Sequence, residues 1–309
     1  MQHYRSLDEV NLQDSWLTIG VFDGVHRGHQ EIIRKLTTGA HADDAPAVVL
    51  TFDPHPATVL TGHAIRSLTL PDERADLLGK LGVDVVITER FTRELSTVSA
   101  DDFMSRLTRQ LGLQHLLIGY DFALGKGREG NARRLTEIGS ESGYTVDVIP
   151  ALSDESGVIS STEIRKLIEV GNVAEAARLL GHSYSLHGPV IQGDGRGRTI
   201  NVPTANISYS HDKMIPAKGI YACWAHLNDK RYQAAINIGT NPTFTPDKQS
   251  PNVEAHLLDF HDDIYGKDVQ LEFITRLRDE LKFDSVENLL EQIWKDIEDT
   301  KRILNNNSG

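Results

Sequence analysis

Apolar runs of strand length alternate with amphipathic segments of helix length through the first half of the chain, and that alternation restricts the fold more than any other feature. Trp16–Phe22, Ala47–Phe52, Val83–Thr88, His115–Gly119 and Thr145–Ile149 read as strands. Between the first two, Gln30–Thr37 places Ile32, Ile33 and Leu36 on one helical face. Asp72–Leu81 is a helix that Pro71 opens at its first turn. Ser99-Ala-Asp-Asp102 is a cap-like start, followed by Phe103 and Leu107 at helical spacing. Strands separated by helices pair in parallel through crossovers, so the expectation is an α/β fold with a doubly wound sheet. In such a sheet ligands bind beyond the carboxyl ends of the strands.

Ser161–Leu180 reads as two short helices, broken at Gly171-Asn172 and ended by Gly181. The rhythm then changes. Leu186–Ile191, Gly219–Ala225, Arg231–Ile238, Val253–Leu258 and Val269–Ile274 are short β-rich runs separated by Gly, Pro and Asn. They predict a small antiparallel β-barrel, a fold without open edges. A terminal helix follows, with a box-like start at Asp284-Ser-Val-Glu287 and a stripe of Val286, Leu289, Leu290, Ile293 and Ile297. The tail Asn305–Gly309 is expected to fray. The boundary falls near 182–186, giving domains 1–183 and 184–309.

Bulk properties narrow the function. A chain of 309 residues with 39% hydrophobic and 25% charged residues is an ordinary globular composition with room for two domains. It holds no apolar run of transmembrane length and no secretory signal pattern at Met1–Glu9, so a cytoplasmic protein without membrane attachment is expected. A single cysteine, Cys223, excludes an internal disulfide framework and any multi-cysteine metal site. The net charge of −12 opposes nonspecific nucleic-acid binding, yet leaves room for a locally positive site for a small anion.

One turn carries concentrated chemistry. In Ile19–Gln30, His26 and His29 follow a strand and sit in a glycine-rich turn that enters a helix. They could be metal ligands, an acid/base pair or a phosphate cradle. A metal needs further ligands, for which Asp23, Asp53 and His55 are the nearest in sequence. Phosphate suits the context better. Gly24 and Gly28 let backbone approach a ligand, and a helix N-terminus offers free N–H groups and positive potential. Later, Ser161 and Thr162 open a helix with Arg165 one turn in, a second anion-binding pattern. Gly119–Gly130 is a glycine-rich loop holding one aspartate, one glutamate and two basic residues after a strand.

The strings "GVFDGVHRGHQ", "TFDPHP", "GYDF" with its following glycines and arginine, and "ISSTEIRKLI" together resemble the flavin branch of the nucleotidyltransferase superfamily, the FMN adenylyltransferase module, over about residues 15–182. The resemblance implies a Rossmann-like nucleotidyltransferase domain that joins FMN to ATP, giving FAD and pyrophosphate. It implies that His26 and His29 hold ATP phosphates and that Ser161, Thr162 and Arg165 hold the transferring and leaving groups. Gly20, Phe22, Asp23, Gly24 and Gly28 would complete the ATP site, with Phe52, Asp121 and Phe122 toward the flavin. Leu124 stands where the family form carries an aromatic residue.

In the second half, Thr204 and Asn206 lie two apart in Pro203-Thr-Ala-Asn206, so an extended chain points both to one face. Their oxygens are hard ligands suited to Mg2+ that also binds ATP phosphates. If Val253, Ala255 and Leu257 face inward, Glu254 and His256 share the other face, and Glu254 is available as a base toward a hydroxyl. With "GRGRTINVPTAN", "GIYACWA", "NIGTNPTF", "VEAHLLDF", "IYGKDVQLEF" and "LRDELKF" in order, residues 185–304 resemble a riboflavin kinase module. That implies Glu254 as the base for the riboflavin 5′-hydroxyl, Thr204 and Asn206 on Mg2+–ATP, Gly193, Gly195 and Arg196 near ATP, and Arg278 at the flavin end. Asn201-Val202 departs from the family's Gly-Phe. The joint expectation is a bifunctional enzyme using ATP and Mg2+, with riboflavin and FMN as substrates, and room for a weak or transient homo-oligomer. An adenylyltransferase for another phosphorylated acceptor, or a non-catalytic flavin carrier, are the competing readings.

Overall fold

The computed structural model describes residues 1–154, 157–193, 202–239 and 251–306. The chain divides into two compact units, Met1–Ser161 and Thr162–Gly309.

In the first unit the order is β1 (Gln2–Tyr4), β2 (Ser15–Ile19), α1 (Arg27–Ala42), β3 (Ala47–Asp53), α2 (Pro56–Thr61), α3 (Pro71–Lys80), β4 (Val85–Arg90), α4 (Ala100–Leu111), β5 (Leu113–Gly119), β6 (Ala123–Leu124), β7 (Gly130–Asn131), α5 (Ala132–Ser142) and β8 (Thr145–Ile149). A small hairpin of β9 (Ser153–Asp154) and β10 (Gly157–Val158) follows. The main sheet runs β1-β4-β3-β2-β5-β8 and all its pairings are parallel. Its central strands β2, β3 and β4 are largely apolar on both faces, as a sheet covered on both sides requires. Val48, Leu50, Val85, Ile87, Leu116 and Ile118 join one core with α4 and α5. Their alternates Ala47, Val49, Val86 and Leu117 join the other with Ile33 and Leu36 of α1 and Leu78 of α3. Ser99 caps α4 as its spacing predicts, its hydroxyl oxygen accepting from the Asp102 amide.

Strand order reverses beside β2: the chain moves from it to β3 and β4 on one side and later to β5 and β8 on the other. The loops after β2 and β5 therefore flank the switch-point crevice. Two details differ from the sequence expectation. The first run leaves the sheet at Ile19, because Phe22 takes a left-handed φ of 50° and turns the chain away. Strand β1 escaped notice, since three residues with two polar side chains carry no periodic signal.

In the second unit, α6 (Ser161–Glu169, its first residue at the division) and α7 (Val173–Leu180) precede β11 (Tyr184–Ile191), β12 (Ala205–Ile207), β13 (Gly219–Leu227), β14 (Lys230–Gly239), β15 (Asn252–Leu257), β16 (Asp268–Arg278) and α8 (Val286–Asn306). Helix α7 lies against β11 and β16. The strands close as β11-β12-β15-β14-β13-β16, every pairing antiparallel. Tyr221, Cys223, Ile236, Ala255, Leu271 and Phe273 are buried inside, so side chains fill the barrel. Burial also raises the Cys223 thiol pKa well above its ordinary value.

Helix α8 covers the outside, where Leu304 packs with Ala222 and Trp224. Ser285, not Asp284, caps it, accepting from the Asn288 amide at 3.2 Å. Val286 stays exposed while Ile297 is buried, so the stripe seats at its carboxyl-terminal end. Asn305 and Asn306 are helical, and Asn305 accepts a 2.7 Å bond from Gln233; the expected fraying does not begin there. An ion pair adds to this apolar packing between α8 and the barrel. Asp296 is buried and takes a forked pair of bonds from Arg278, from Nε at 2.9 Å and Nη2 at 2.7 Å. Removing one member of a buried ion pair strands the other charge. Asp296→Ala is expected to destabilise the second unit by about 3 kcal/mol, read as a fall in the urea midpoint of the transition that Cys223 accessibility reports.

Candidate active sites

The histidine turn is tightly wound. Phe22, Gly24 and Val25 take φ values of 50°, 80° and 43°, and left-handed backbone is costly for a β-branched residue such as Val25. The neighbouring chain holds that shape. Asp23 is buried, and its carboxylate accepts from Leu68 N at 3.0 Å, Thr69 N at 2.9 Å and Thr69 Oγ1 at 3.2 Å. Thr69 Oγ1 in turn accepts from Gly24 N at 2.9 Å. The turn delivers the chain into α1, whose N-cap is His26: its Nδ1 accepts from His29 N at 3.4 Å.

His26 and His29 stack, ring centroids 3.6 Å apart and planes 21° apart, and Phe22 meets His29 edge-on at 5.1 Å. Two imidazoles face to face at van der Waals distance are favoured when neutral. Burial lowers the His26 pKa to about 4, opposed by the Asp23 charge. Burial also holds His29 well below the ordinary histidine value, with His26 and Arg74 adding to the effect. His29 Nδ1 is covered and has no hydrogen-bond partner. Among the described residues no three His, Cys, Asp or Glu side chains converge as a metal site. What the turn offers is a helix N-terminus with neutral imidazole donors, suited to an anion.

The turn opens on a cavity of about 700 Å3 in the switch-point crevice. Gly20, Phe22 and His29 line one side, and Asp121, Phe122 and Leu124 from the loop after β5 line another. Phe52 lines it too, with Phe91 edge-on at 5.5 Å. The Asp121 carbonyl accepts from Arg128 at 2.9 Å, tying that loop back on itself. Phe91 and Phe103 also line the cavity; the sequence marked Phe103 only as part of a helix face and Phe91, just past a strand end, not at all. Gly28 stands close under His26, where an added Cβ would lie 3.2 Å from the ring. Ser161 donates to the Asp23 carbonyl at 2.8 Å, which joins the distant serine to the turn. Thr162 and Arg165 lie in the first turns of α6, on the second unit's side of the division.

In the second unit the register gathers the other candidates. Asn206 of β12 pairs with Glu254 of β15, which pairs with Asn237 of β14; Asn237 pairs with Ile220 of β13, and Ile220 with Arg278 of β16. Cα partners share a face, so this row crosses the barrel on one surface. That surface is outside: Val253, Ala255 and Leu257 are buried while Glu254 and His256 are half-buried, as the alternation predicts. A cavity of about 300 Å3 lies over the row, lined by Thr204, Asn237, Glu254 and Arg278 with Leu289 and Ile293 of α8. His256 Nδ1 bonds the Pro203 carbonyl at 2.7 Å, fixing the start of the Thr204–Asn206 segment. Gly193 lies so close to Asn206 that a Cβ there would meet its amide nitrogen at 2.0 Å. Gly195, Arg196 and Asn201 lie outside the described residues. Asn237 and Asp296 were missed. Asp296 could have been noticed as a carboxylate three residues after Ile293, inside the apolar stripe.

The low His26 pKa has a thermodynamic consequence. Above about pH 6.5 His26 is neutral in both folded and unfolded chains. As pH falls toward about 4 the unfolded chain takes up the proton first, so stability is lost across that window. The full loss is on the order of 3 kcal/mol. The stability of the first unit, followed by urea unfolding from pH 7 to 4, is expected to fall more steeply in the parent than in His26→Gln.

Known proteins match along the same two divisions. The family model for FAD synthetase matches residues 8–163 and that for riboflavin kinase residues 180–304. A bifunctional riboflavin kinase/FMN adenylyltransferase of Listeria monocytogenes is 37% identical over 97% of this chain and 96% of its own length. Those of Bacillus subtilis and Escherichia coli K12 are 34% and 37% identical, over 98% and 94% of this chain and 97% and 93% of their own lengths. A Streptococcus pneumoniae crystal structure described as a macrolide-efflux protein superimposes with a TM-score of 0.88 at 32% identity, covering 97% of this chain and 98% of that one. Among the described residues of this chain, no helix is long and apolar enough to cross a membrane. The chain belongs to the bifunctional riboflavin kinase/FMN adenylyltransferase family: it phosphorylates riboflavin to FMN and adenylylates FMN to FAD.

Proposed function

We propose that the histidine turn is the adenylylation site and that the outer row of the barrel is the kinase site, in modules of residues 1–183 and 184–309. The observation that carries the first assignment is the neutral imidazole stack at the N-terminus of α1, facing the switch-point cavity. His26 and His29 donate to ATP phosphate oxygens, beside backbone N–H groups that Gly24 and Gly28 leave accessible. Gly20 and Phe22 shape the approach, and the Asp23 carboxylate fixes the turn through Leu68 and Thr69. The FMN phosphate attacks the α-phosphorus in line, and pyrophosphate leaves. No protein nucleophile is needed, so positioning and charge stabilisation supply the rate. Ser161, Thr162 and Arg165 serve the transferring and leaving groups. Phe52, Phe122 and Asp121 meet the flavin in a slot that Leu124 also lines.

In the kinase module Glu254 takes the proton of the riboflavin 5′-hydroxyl as that oxygen attacks the γ-phosphorus of ATP. Its place between Asn206 and Asn237 in the row supports this role. Arg278, held by Asp296, forms the flavin end of the cavity. Thr204 and Asn206 would hold Mg2+ through a hydroxyl and an amide oxygen, hard donors that suit it. When bound, Mg2+ would neutralise charge on the ATP phosphates. Gly193, Gly195 and Arg196 serve ATP binding. The substrates are riboflavin, FMN and ATP, and the location is cytoplasmic.

The two sites separate by mutation. Glu254→Gln is expected to lower FMN formation from riboflavin by at least about 100-fold while FAD formation from supplied FMN persists. His29→Ala is expected to give the reverse pattern. Chromatographic quantification of FMN and FAD checks both. Equal loss of the two activities in either variant refutes the assignment.

A further inference from the structure

Arg74 of α3 is a charged residue that the reactions above do not use, and it is only 2% exposed. Its Nη1 donates to the Val21 carbonyl at 2.8 Å, Thr51 Oγ1 at 2.7 Å and the Phe52 carbonyl at 3.2 Å. Its Nη2 reaches the Thr69 carbonyl at 3.4 Å, while Nε is buried without a partner. Thr51 Oγ1 also donates to the Val21 carbonyl at 2.9 Å. One guanidinium thus joins the chain just before the histidine turn, the end of β3 that carries Phe52 into the cavity, and the segment that grips Asp23.

This is an expensive arrangement. Burying a cation costs several kcal/mol unless partners compensate, and most of these partners are neutral carbonyls and a hydroxyl. Burial lowers the Arg74 pKa, opposed by Asp23, Asp53 and Glu73. A fold that needed only packing here would be served by an apolar side chain. The placement makes sense where a positive charge is useful just beneath a site for polyphosphate, and where Val21 and Phe52 must keep fixed positions relative to each other.

We propose that Arg74 is a positioning residue for adenylyl transfer: it locks Val21, Phe52 and Thr69 together, so that the histidine turn and the flavin-side aromatic residue hold their reacting geometry. The proposal rests on assigning the turn to adenylylation. Arg74 touches neither substrate; it acts through the carbonyls it holds. Three of its four bonds leave from one nitrogen, so a lysine ammonium, with three donors, can replace them. A glutamine keeps some donors and loses the charge.

The test compares Arg74→Lys, Arg74→Gln and His29→Ala in the full chain. Readouts are FAD formation from FMN and ATP, FMN formation from riboflavin, and the pH titration of the His29 ring followed by NMR. For Arg74→Gln, kcat for FAD formation is expected to fall about 100-fold, with KM for ATP moving less than about threefold. Riboflavin phosphorylation stays at the parent value. Removing the nearby charge raises the pH at which His29 titrates, whereas Arg74→Lys leaves it in place and keeps kcat within about tenfold of the parent. The proposal is overturned if Arg74→Gln, with the first unit folded, keeps kcat within about threefold, or if the lysine variant loses as much as the glutamine variant. Should Arg74→Gln not fold, Arg74→Lys decides: near-parent kcat with an unmoved His29 titration supports the role, and a loss beyond about 100-fold in a folded unit overturns it. Persistent FAD formation in His29→Ala defeats the site assignment itself, a result distinct from any Arg74 outcome.

Discussion

Parallel strands cannot be joined by tight turns, and the architecture of the first unit follows from that constraint. Each connection in the main sheet must travel back along a face, so α1, α3, α4 and α5 are placed on the sheet's two sides. Every strand then ends at the same edge. Where the order reverses beside β2, two loops diverge and leave a crevice that helices do not cover. His29 in the first turn of α1 and Phe122 in the loop after β5 meet there although almost a hundred residues separate them. The second unit obeys the opposite rule. Antiparallel strands need no crossovers, the sheet closes on itself, and side chains fill its interior. A ligand must therefore use the outer surface, where α8 supplies a second wall.

The two sites handle charge differently. A chain of net charge −12 has to receive a tetra-anionic nucleotide. The histidine turn, the proposed adenylylation site, offers few formal charges: imidazoles that burial keeps neutral, helix-end amides, and a guanidinium set behind them. Neutral donors meet phosphate without first shedding a tightly held hydration shell or a competing counterion. Along the barrel row, by contrast, the principal ionisable group is a carboxylate, Glu254, set between the amides Asn206 and Asn237. Arg278 of the same row spends its charge on Asp296.

The large elements were legible in the sequence because their periodicities are long and unambiguous. Ala47–Phe52 differs from the observed β3 by one residue, and the break at Gly171-Asn172 separates α6 from α7 as read. The alternation in Val253–Leu257 correctly put Glu254 on the outer face. What escaped has a common physical cause: it depends on contacts between distant residues. The strand β12 is three residues long and exists through its neighbours β11 and β15. Asp23 looks like a ligand-facing residue in its glycine-rich string, yet its carboxylate turns inward to Leu68 and Thr69, some 45 residues on. Arg74 sits in an unremarkable amphipathic helix, and only the fold shows that its guanidinium is buried. The capping of α8 by Ser285 in place of Asp284 is a smaller instance, in which two adjacent residues had equal chemical claims.

Cys223 is the single thiol of the chain, and it points into the filled interior of the barrel. With its pKa raised by burial, it is inert while the strands stay paired. A thiol reagent can reach it only after the barrel has opened. The protein thus carries a native clock on one of its two units: labelling kinetics time the opening of the kinase barrel, and the adenylylating sheet, which has no thiol, contributes nothing to the signal.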